Sequence, residues 1–482
     1  MSLSVQKAVT VAFGLVLAAS ANAGQVPGRA TVPDTPISSR DRVYLSDQTS
    51  NTVSVVDPSA EKLLGVIHLG DPAPGNLSPL YKGQLLVHGM GFSPDHRTLV
   101  VVSVGSNSVA FIDTQTNGVK HVAYVGRSPH EAFFTPDGKE VWVTVRGEDF
   151  VQVLDGKTYR PTKHIPVPNG PGMTIFSPDG KYGYVCSSFT PETVVIDTKN
   201  HRIVGRVKQA SPFCPDIAAT PDGKQVWFTL KDIGKTQVFN AAPPFATIAV
   251  LDTGPITNHV NLVRNANGQF AYVTVGGLNE VKVFTTTDHP ELVATVPTGD
   301  LPHGLWPSGD GTRIFVGLEN ADAVTAIDTL SNKVVATINS GQSPQGMVYI
   351  PNAVPNGDGT QNLSPLSTSG EAVHLNLVSV GTDKVQTTVA VNNQGLIDLL
   401  EAAVTGLEAK KSYLLALGNN ADGSGPLEPV VQFMTNPAGA AIVVTLGPLR
   451  SAVQGNQSVQ RRFLVIVPLN DDKPGAPVQV QR

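Results

Sequence analysis

Four histidines and one glutamine stand at or beside matching places in a repeated segment of the chain, with His259 one residue out of register. They are His88, His130, His259, His303 and Gln345. Imidazoles gathered around one axis could ligate copper or zinc or approach an iron tetrapyrrole, because neutral histidine is the commonest nitrogen ligand of transition metals. The same side chains could instead act as general acids or bases, or hydrogen-bond the backbone of nearby loops. The two remaining repeats carry Gly172 and Pro215 at this place.

The segment that positions these residues returns six times. Its turn residues are separated by steps of 42, 42, 43, 45 and 43 residues, and they are Ser93, Thr135, Ser177, Thr220, Asn265 and Ser308. A period in this range marks stacked or radially repeated units. Within each repeat, runs of about five residues rich in Val, Ile, Phe and Thr end at Gly, Asp, Asn or Pro, as in short antiparallel strands. Four such strands per repeat predict the blade of a β-propeller.

The middle strands of each repeat carry a recurring motif. It reads YVT at 272–274 and WVT at 142–144, and the next strand ends in aspartate, as in VQVLD at 151–155 and VTAID at 324–328. Over about residues 42–352 the chain resembles the YVTN-repeat β-propeller family, which is related to WD40-like and nitrite-reductase haem propellers. The resemblance implies the fold and leaves the activity open. We expect the aspartates to form Asx turns rather than a metal ring.

The ends of the repeat region predict how the ring closes. Residues 345–350 read as a seventh innermost strand, and three strands without an innermost partner stand at residues 43–47, 53–57 and 63–69. We infer that the N-terminal strands complete the last blade. The result is an all-β, seven-bladed propeller that leaves no free sheet edge.

Further polar residues are predicted on the face that carries the histidines. They are Asp47, Arg146, Glu148, Asp216, Lys231, Asp232 and Glu319. Together with the histidines and Gln345, Arg146 and Lys231 form the predicted ligand-binding set at the channel mouth, although solvated loop tips are normally charged. Insertions at 70–86 and 232–245 fall on this face too. Insertions on one face of a repeat protein often build its binding side.

Two cysteines, Cys186 and Cys214, fall on the same face in neighbouring blades. They could form a disulfide, remain buried thiols or ligate a metal. No C-x-x-C-H motif occurs, so covalent c-type haem is not expected.

The N-terminus has the features of an export signal. An apolar stretch at residues 5–19 is too short to span a bilayer and precedes an A-x-A site at 21–23. We therefore expect a signal peptide at 1–23, a periplasmic or secreted protein, and no integral membrane segment after cleavage. The formal net charge of −5, without basic clusters, argues against nucleic acid as a partner.

Beyond residue 352 the repeat stops. The predicted arrangement is an N-terminal extension at 24–41, a propeller at 42–352, a flexible linker at 353–370 and a β-rich, sandwich-like domain at 371–482. One helix is predicted at 396–407.

Two functions compete on these observations. The first is a binding or scaffold propeller that holds a protein, a glycan or a small ligand at the channel mouth. The second is an oxidoreductase, a lactonase-like enzyme or a metal or tetrapyrrole carrier that uses the mouth histidines. The sequence contains no H-E-x-x-H, G-x-S-x-G, Walker or EF-hand motif. This absence favours the first function.

Overall fold

Seven four-stranded antiparallel sheets form a propeller, and a nine-stranded sheet follows them. The structure is a computed structural model and describes residues 35–70, 85–395, 397–456, 458–471 and 473–482. The predicted signal peptide at 1–23, residues 24–34 of the predicted extension and residues 71–84 of the first insertion lie outside the described residues. The all-β, seven-bladed prediction is confirmed.

The propeller strands follow one another with short connections. In chain order they are β1 (Arg42–Asp47), β2 (Thr52–Asp57), β3 (Lys62–His68), β4 (Val87–Phe92), β5 (Thr98–Ser103), β6 (Ser108–Asp113), β7 (Val119–Tyr124), β8 (Pro129–Phe134), β9 (Glu140–Val145), β10 (Phe150–Asp155), β11 (Pro161–Pro166), β12 (Pro171–Phe176), β13 (Tyr182–Ser187), β14 (Glu192–Asp197), β15 (Arg202–Lys208), β16 (Ile217–Ala219), β17 (Gln225–Leu230), β18 (Lys235–Asn240), β19 (Thr247–Asp252), β20 (Thr257–Asn265), β21 (Gly268–Val275), β22 (Glu280–Thr285), β23 (Leu292–Pro297), β24 (Pro302–Pro307), β25 (Arg313–Leu318), β26 (Ala323–Asp328), β27 (Lys333–Asn339) and β28 (Pro344–Ile350). Short 3₁₀ helices follow β17 and β21, at Lys231–Ile233 and Gly276–Leu278.

The ring closes as predicted. Strand β28 pairs antiparallel with β1, with Tyr349 opposite Val43, and β2 and β3 complete the seventh blade. The Tyr349 hydroxyl also donates to the Asp41 carboxylate at 2.5 Å, just before β1. The N-terminal strands and the last repeat are therefore one sheet, and among the described residues no inner strand of the propeller is left unpaired.

Each blade buries its inner strands and exposes its outer one. Innermost strands such as β4 and β8 are buried along their whole length, whereas the outermost β7 is largely exposed. Aromatic residues fill the space between blades, as where Trp142 meets Phe176 at 5.0 Å between ring centroids. This layering explains why the inner strands read as continuous apolar or small-residue runs.

The aspartates that end the third strands of the blades hold turns. Asp113 Oδ1 accepts hydrogen bonds from the backbone N–H groups of Gln115 and Thr116, both at 3.0 Å. Asp155 and Asp328 make equivalent bonds. The expectation of Asx turns is confirmed.

The segment 353–370 is packed, and the prediction of a flexible linker is wrong. Ala353 and Val354 are fully buried in the propeller core, Ser364 bridges to Val66 of β3, and a 3₁₀ helix spans Leu366–Ser369. The amide of Asn117 donates to the carbonyl oxygens of Gly359 and Gln361 at 2.8 and 2.9 Å. Polar composition suggested mobility, but backbone hydrogen bonds to the first and last blades order the segment.

The C-terminal domain is one nearly closed antiparallel sheet. Its elements are β29 (Ala372–Ser379), β30 (Val385–Asn393), β31 (Asp398–Val404), β32 (Ser412–Gly418), β33 (Leu427–Met434), β34 (Ala441–Gly447), α1 (Leu449–Gln454), β35 (Phe463–Asn470), β36 (Lys473–Pro474) and β37 (Gln479–Gln481). The strand order is β33-β32-β35-β37-β29-β30-β31-β34, and β36 pairs with β35.

The helix predicted at 396–407 is wrong, because strand β31 occupies most of this range. It pairs with β30 on one side and β34 on the other, and it is buried on both faces. A strand that is buried on both faces does not alternate apolar and polar residues. Its apolar run therefore cannot be distinguished from that of a buried helix by periodicity.

The C-terminal sheet docks on the same face of the propeller as the channel mouth. The Asn320 amide, after β25, donates to the carbonyl oxygen of Thr388 at 3.0 Å, and His374 Nε2 lies 3.2 Å from Asp322 Oδ2. Ile256 and Leu301 of the propeller share a small buried cluster with two alanines of the sheet. Within the described ranges, no helix is long and apolar enough to cross a bilayer.

Candidate functional site

Backbone bulges at the start of the innermost strands orient the side chains of the candidate site. The register of β4 against β5 shifts between Val87 and Met90, and equivalent shifts occur at the start of β8, β20 and β24. A bulge re-aims the side chains beside it, and bulges are common next to active sites. The four histidines lie in these bulges.

The structure brings the four predicted histidines together. Ring centroids are 4.2 Å apart for His88 and His130, 4.6 Å for His259 and His303, and 6.2 Å for His88 and His303. All four are buried. His259 stands one residue later in its bulge than the others, and Asn258 occupies the equivalent place and donates to the carbonyl of Pro302 at 2.8 Å.

Burial keeps these imidazoles neutral. It lowers the pKa of His88 and of His259 to about 3, and nearby Lys231 adds to the effect in both. The pKa values of His130 and His303 also lie well below the ordinary value, again chiefly through burial. A neutral imidazole can accept a proton or ligate a metal.

A hydrogen bond defines the tautomer of His303. Its Nδ1 lies 3.1 Å from the backbone carbonyl oxygen of Gln345, which can only accept, so Nδ1 carries the proton. The Nε2 atom is therefore left with a lone pair. It lies 4.0 Å from Glu319 Oε2.

A second tier of side chains surrounds the histidines. These residues directly follow the second strands of their blades, and they include Gln48, Arg146, Lys231 and Glu319. The Arg146 guanidinium lies over the ring of Phe213 at 4.9 Å, and burial lowers its pKa. Burial also lowers the pKa of Lys231, although the negative charges of nearby carboxylates raise it.

The two tiers enclose a cavity of about 320 Å³. Its lining includes all four histidines, Gln345, Arg146 and Lys231, which are the residues that the sequence predicted for ligand binding. Phe213 and Pro215 line it beside Cys214, which is joined to Cys186 by a disulfide. Glu401 and Ile442 of the C-terminal sheet line it from the other side.

Glu401 makes the C-terminal sheet part of the site. Its side chain is hydrogen-bonded to that of Glu319, and both carboxyl groups are buried. Burial raises the pKa of Glu319 well above its usual range, and the charge of Glu401 raises it further. The pair can therefore hold one proton between two carboxyl groups, with Lys231 as the neighbouring cation.

Sequence reasoning missed two carboxylates of this region, Glu401 and Glu131. Glu401 lay hidden in the mistaken helix, and its signal was a single charge inside the apolar run at 399–404. Glu131 directly follows His130 and is buried below the mouth, beside Asp216. A charged residue at the start of an innermost strand was the signal there.

The remaining predicted residues lie outside the cavity lining. Asp47 accepts hydrogen bonds from the hydroxyls of Thr52 and Ser54, both at 2.8 Å, and holds its own blade together. The Asp216 carboxylate accepts from the Val260 N–H at 2.7 Å, one layer deeper in the channel. Glu148 and Asp232 do not line the cavity, although the charge of Asp232 acts on Arg146.

Comparison with known protein families finds a match to the propeller. The model of a family described as "Lactonase, 7-bladed beta-propeller" matches residues 106–347, half of the chain. A search of curated proteins finds no match. The YVTN-repeat resemblance stays a prediction.

Solved structures share the fold at low sequence identity. Kuenenia stuttgartiensis hydrazine synthase is 19% identical with a TM-score of 0.52, over 66% of this chain and 99% of that one. A Pseudomonas aeruginosa periplasmic gluconolactonase is 18% identical with a TM-score of 0.51, over 64% and 99%. A Desulfotomaculum acetoxidans protein of unknown function is 15% identical with a TM-score of 0.54, over 64% and 98%.

Proposed function

Because this chain belongs to the family of seven-bladed lactonase β-propellers, we propose that it hydrolyses a lactone in the cavity at its channel mouth. The observation that carries the proposal is the tautomer of His303, whose Nε2 has a free lone pair and whose side chain lines the same cavity as two cations. A general base and a stabiliser of negative charge are the two groups that acyl hydrolysis requires. Family membership favours this enzyme over a binding scaffold.

His303 serves as the general base. Water attacks the lactone carbonyl carbon, and Nε2 takes the proton that the water loses. The neighbouring Glu319–Glu401 pair supplies a negative charge next to the imidazolium that forms. Burial keeps the imidazole neutral beforehand, so the base is ready in its accepting form.

Arg146 and Lys231 stabilise the oxyanion. The attack places a negative charge on the former carbonyl oxygen, and preorganised cations beside it stabilise such a charge. The ring C–O bond then breaks, the imidazolium returns its proton to the leaving alkoxide, and a hydroxy acid is formed. Its carboxylate can remain paired with the same cations until release.

The cavity favours a small, polar lactone. About 320 Å³ lined by imidazole, amide and carboxyl groups suits a polyhydroxylated ring better than a long acyl chain. The gluconolactonase with the same fold supports a sugar lactone as the first compound to test.

Acid release from a panel of lactones tests this function. We expect the wild-type protein to hydrolyse glucono-δ-lactone faster than an acyl-homoserine lactone with a long chain. His303→Gln should lower kcat by about 10²–10⁴-fold, as expected for loss of a general base. His289→Gln, on an exposed loop, is the matched control and should retain the rate. No turnover above buffer for any lactone, or full activity in His303→Gln, would contradict the proposal.

We also propose that the protein is exported before it acts. The apolar N-terminal stretch and its A-x-A site support this, and a disulfide suits an oxidising compartment. The mass of the protein purified from its native compartment tests it, since cleavage after Ala23 should give a chain that begins at Gly24.

A further inference from the structure

Two histidines and one glutamate of neighbouring blades form a cluster that the proposed hydrolysis does not use. One possible ligand atom from each of His88, His130 and Glu131 lies within 4.8 Å of the others. His88 enters from β4, and His130 and Glu131 enter together from β8. All three side chains are more than nine-tenths buried.

Two nitrogen atoms of this cluster lack a hydrogen-bond partner. Within the described residues, Nδ1 of His88 and Nδ1 of His130 are buried and unpaired. His88 Nδ1 lies 3.7 Å from Glu131 Oε1, which is beyond hydrogen-bond distance. Leaving buried polar atoms unpaired costs free energy, so such atoms point to something that occupies the space between them.

The backbone around Glu131 holds its carboxyl group in place. The Glu131 N–H donates to Thr144 Oγ1 at 3.1 Å, and the Met90 N–H donates to its carboxyl group. Gly89 leaves room for this approach, because a Cβ atom there would lie 2.2 Å from Glu131 Oε2. Because residue 89 has no side chain, the Glu131 carboxyl group can lie next to the neighbouring blade and close to the two imidazoles.

We propose that His88, His130 and Glu131 bind a divalent transition-metal ion, Zn²⁺ or Cu²⁺. Two imidazole nitrogens and one carboxylate oxygen are the ligand types that these ions take, whereas Mg²⁺ and Ca²⁺ prefer oxygen alone. Three protein ligands leave coordination positions for water or for a group in the cavity. The proposal rests on this geometry and not on lactone hydrolysis.

The set of three differs from the four-histidine ring expected from the sequence. His303 has its Nδ1 engaged with the Gln345 carbonyl, and its ring lies 6.2 Å from that of His88. His259 Nδ1 lies 3.7 Å from Asp216 Oδ2, on the opposite side of the mouth. The carboxylate of Glu131 takes the place of these two histidines as the third ligand.

Titration of Zn²⁺ or Cu²⁺ into chelator-treated, full-length protein, in competition with a chromophoric chelator, tests the site. We expect one ion per chain, and at least about tenfold weaker binding in His130→Ala and in Glu131→Gln. Glu131→Gln keeps the size of the side chain, so the variant should fold as the wild type does. Near-ultraviolet circular dichroism checks the fold of both variants. His289→Ala should bind as the wild type does.

The same titration separates the alternatives. His259→Ala should leave the affinity within about twofold, since His259 lies outside the cluster. The proposal is overturned if the wild type takes up no more metal than a His130→Ala/Glu131→Gln double variant, or if Glu131→Gln binds as tightly as the wild type. Because metal uptake is the readout, the result stands whether or not any lactone is hydrolysed.

Discussion

His374 Nε2 lies 3.2 Å from Asp322 Oδ2, and this pair joins the C-terminal sheet to the loop between β25 and β26 of the propeller. The hydrogen bond to Asp322 is the main reason that the pKa of His374 is raised above its usual value. The charges of Asp322 and Asp300 raise it further, and burial opposes them. The protonated form of His374 therefore favours docking of the two domains.

Domain docking should weaken as pH rises. A histidine whose folded pKa is raised contributes its full stability below the unfolded value of about 6.5 and loses it as pH rises through the folded pKa. We expect the difference in melting temperature between the wild type and His374→Ala to be largest near pH 6 and to shrink towards about pH 8.5. Asp322→Asn should remove most of the same pH dependence, because Asp322 is the main cause of the raised pKa. A difference that is constant with pH would show that His374 does not titrate in the folded protein.

The disulfide should stabilise the side of the cavity that Phe213 and Pro215 line. Cys186 and Cys214 are separated by 28 residues, and a loop of this length predicts a stabilisation of about 3–4 kcal/mol in the chain-entropy model. The Cys186→Ala/Cys214→Ala double variant should lose about that much in chemical denaturation. It should also lose lactone turnover, because Phe213 and Pro215 flank Cys214 and line the cavity. A reductant should destabilise the wild type and leave the double variant unchanged; equal effects on both would count against the bond.

Glu401 should matter to the site although it belongs to the other domain. Glu401→Gln keeps the size of the side chain but removes the second carboxyl group, so that the pair can no longer share a proton beside Lys231. We expect kcat/KM for a lactone to fall by about tenfold, which corresponds to a loss of about 1.4 kcal/mol of transition-state stabilisation. Glu408→Gln, on the exposed surface of the same domain, is the control. Equal activity of the two variants would remove Glu401 from the site.

The segment 353–370 should resist proteases as long as Asn117 holds it. Asn117→Gly keeps the positive φ of 57° that this turn position requires and removes both side-chain hydrogen bonds. We expect limited proteolysis to cut the variant faster than the wild type within 353–370. Asn419→Gly, at an exposed turn of the C-terminal sheet, should not change the rate at this segment. Rapid cleavage of the wild type at this segment would restore the view of a flexible linker.

The parts of the fold that repeat were predictable, and the parts that do not repeat were not. Each blade packs only against its neighbours, so the period of the motif is enough to assign the strands, and the register of the repeats is enough to bring His88 and His303 to one mouth. The position of Glu401 depends on how a second domain docks, and no periodic pattern carries that information. The packing of Ala353 and Val354 likewise depends on contacts with strands hundreds of positions away in the chain.

The two tiers of equivalent positions, at the start of the innermost strands and after the second strands, have a consequence for how this protein can diversify. Most blades present a residue from one or both of these positions to one shared chamber, while the hydrogen-bonded framework of the blade lies elsewhere. Gly172 shows that a position can even be vacated, since the loop around Cys214 and Ser188 fills its space. A single substitution in one blade can thus change the side chain on one wall of the chamber and leave the other walls as they are. A lineage can explore new substrates in this way without rebuilding its scaffold.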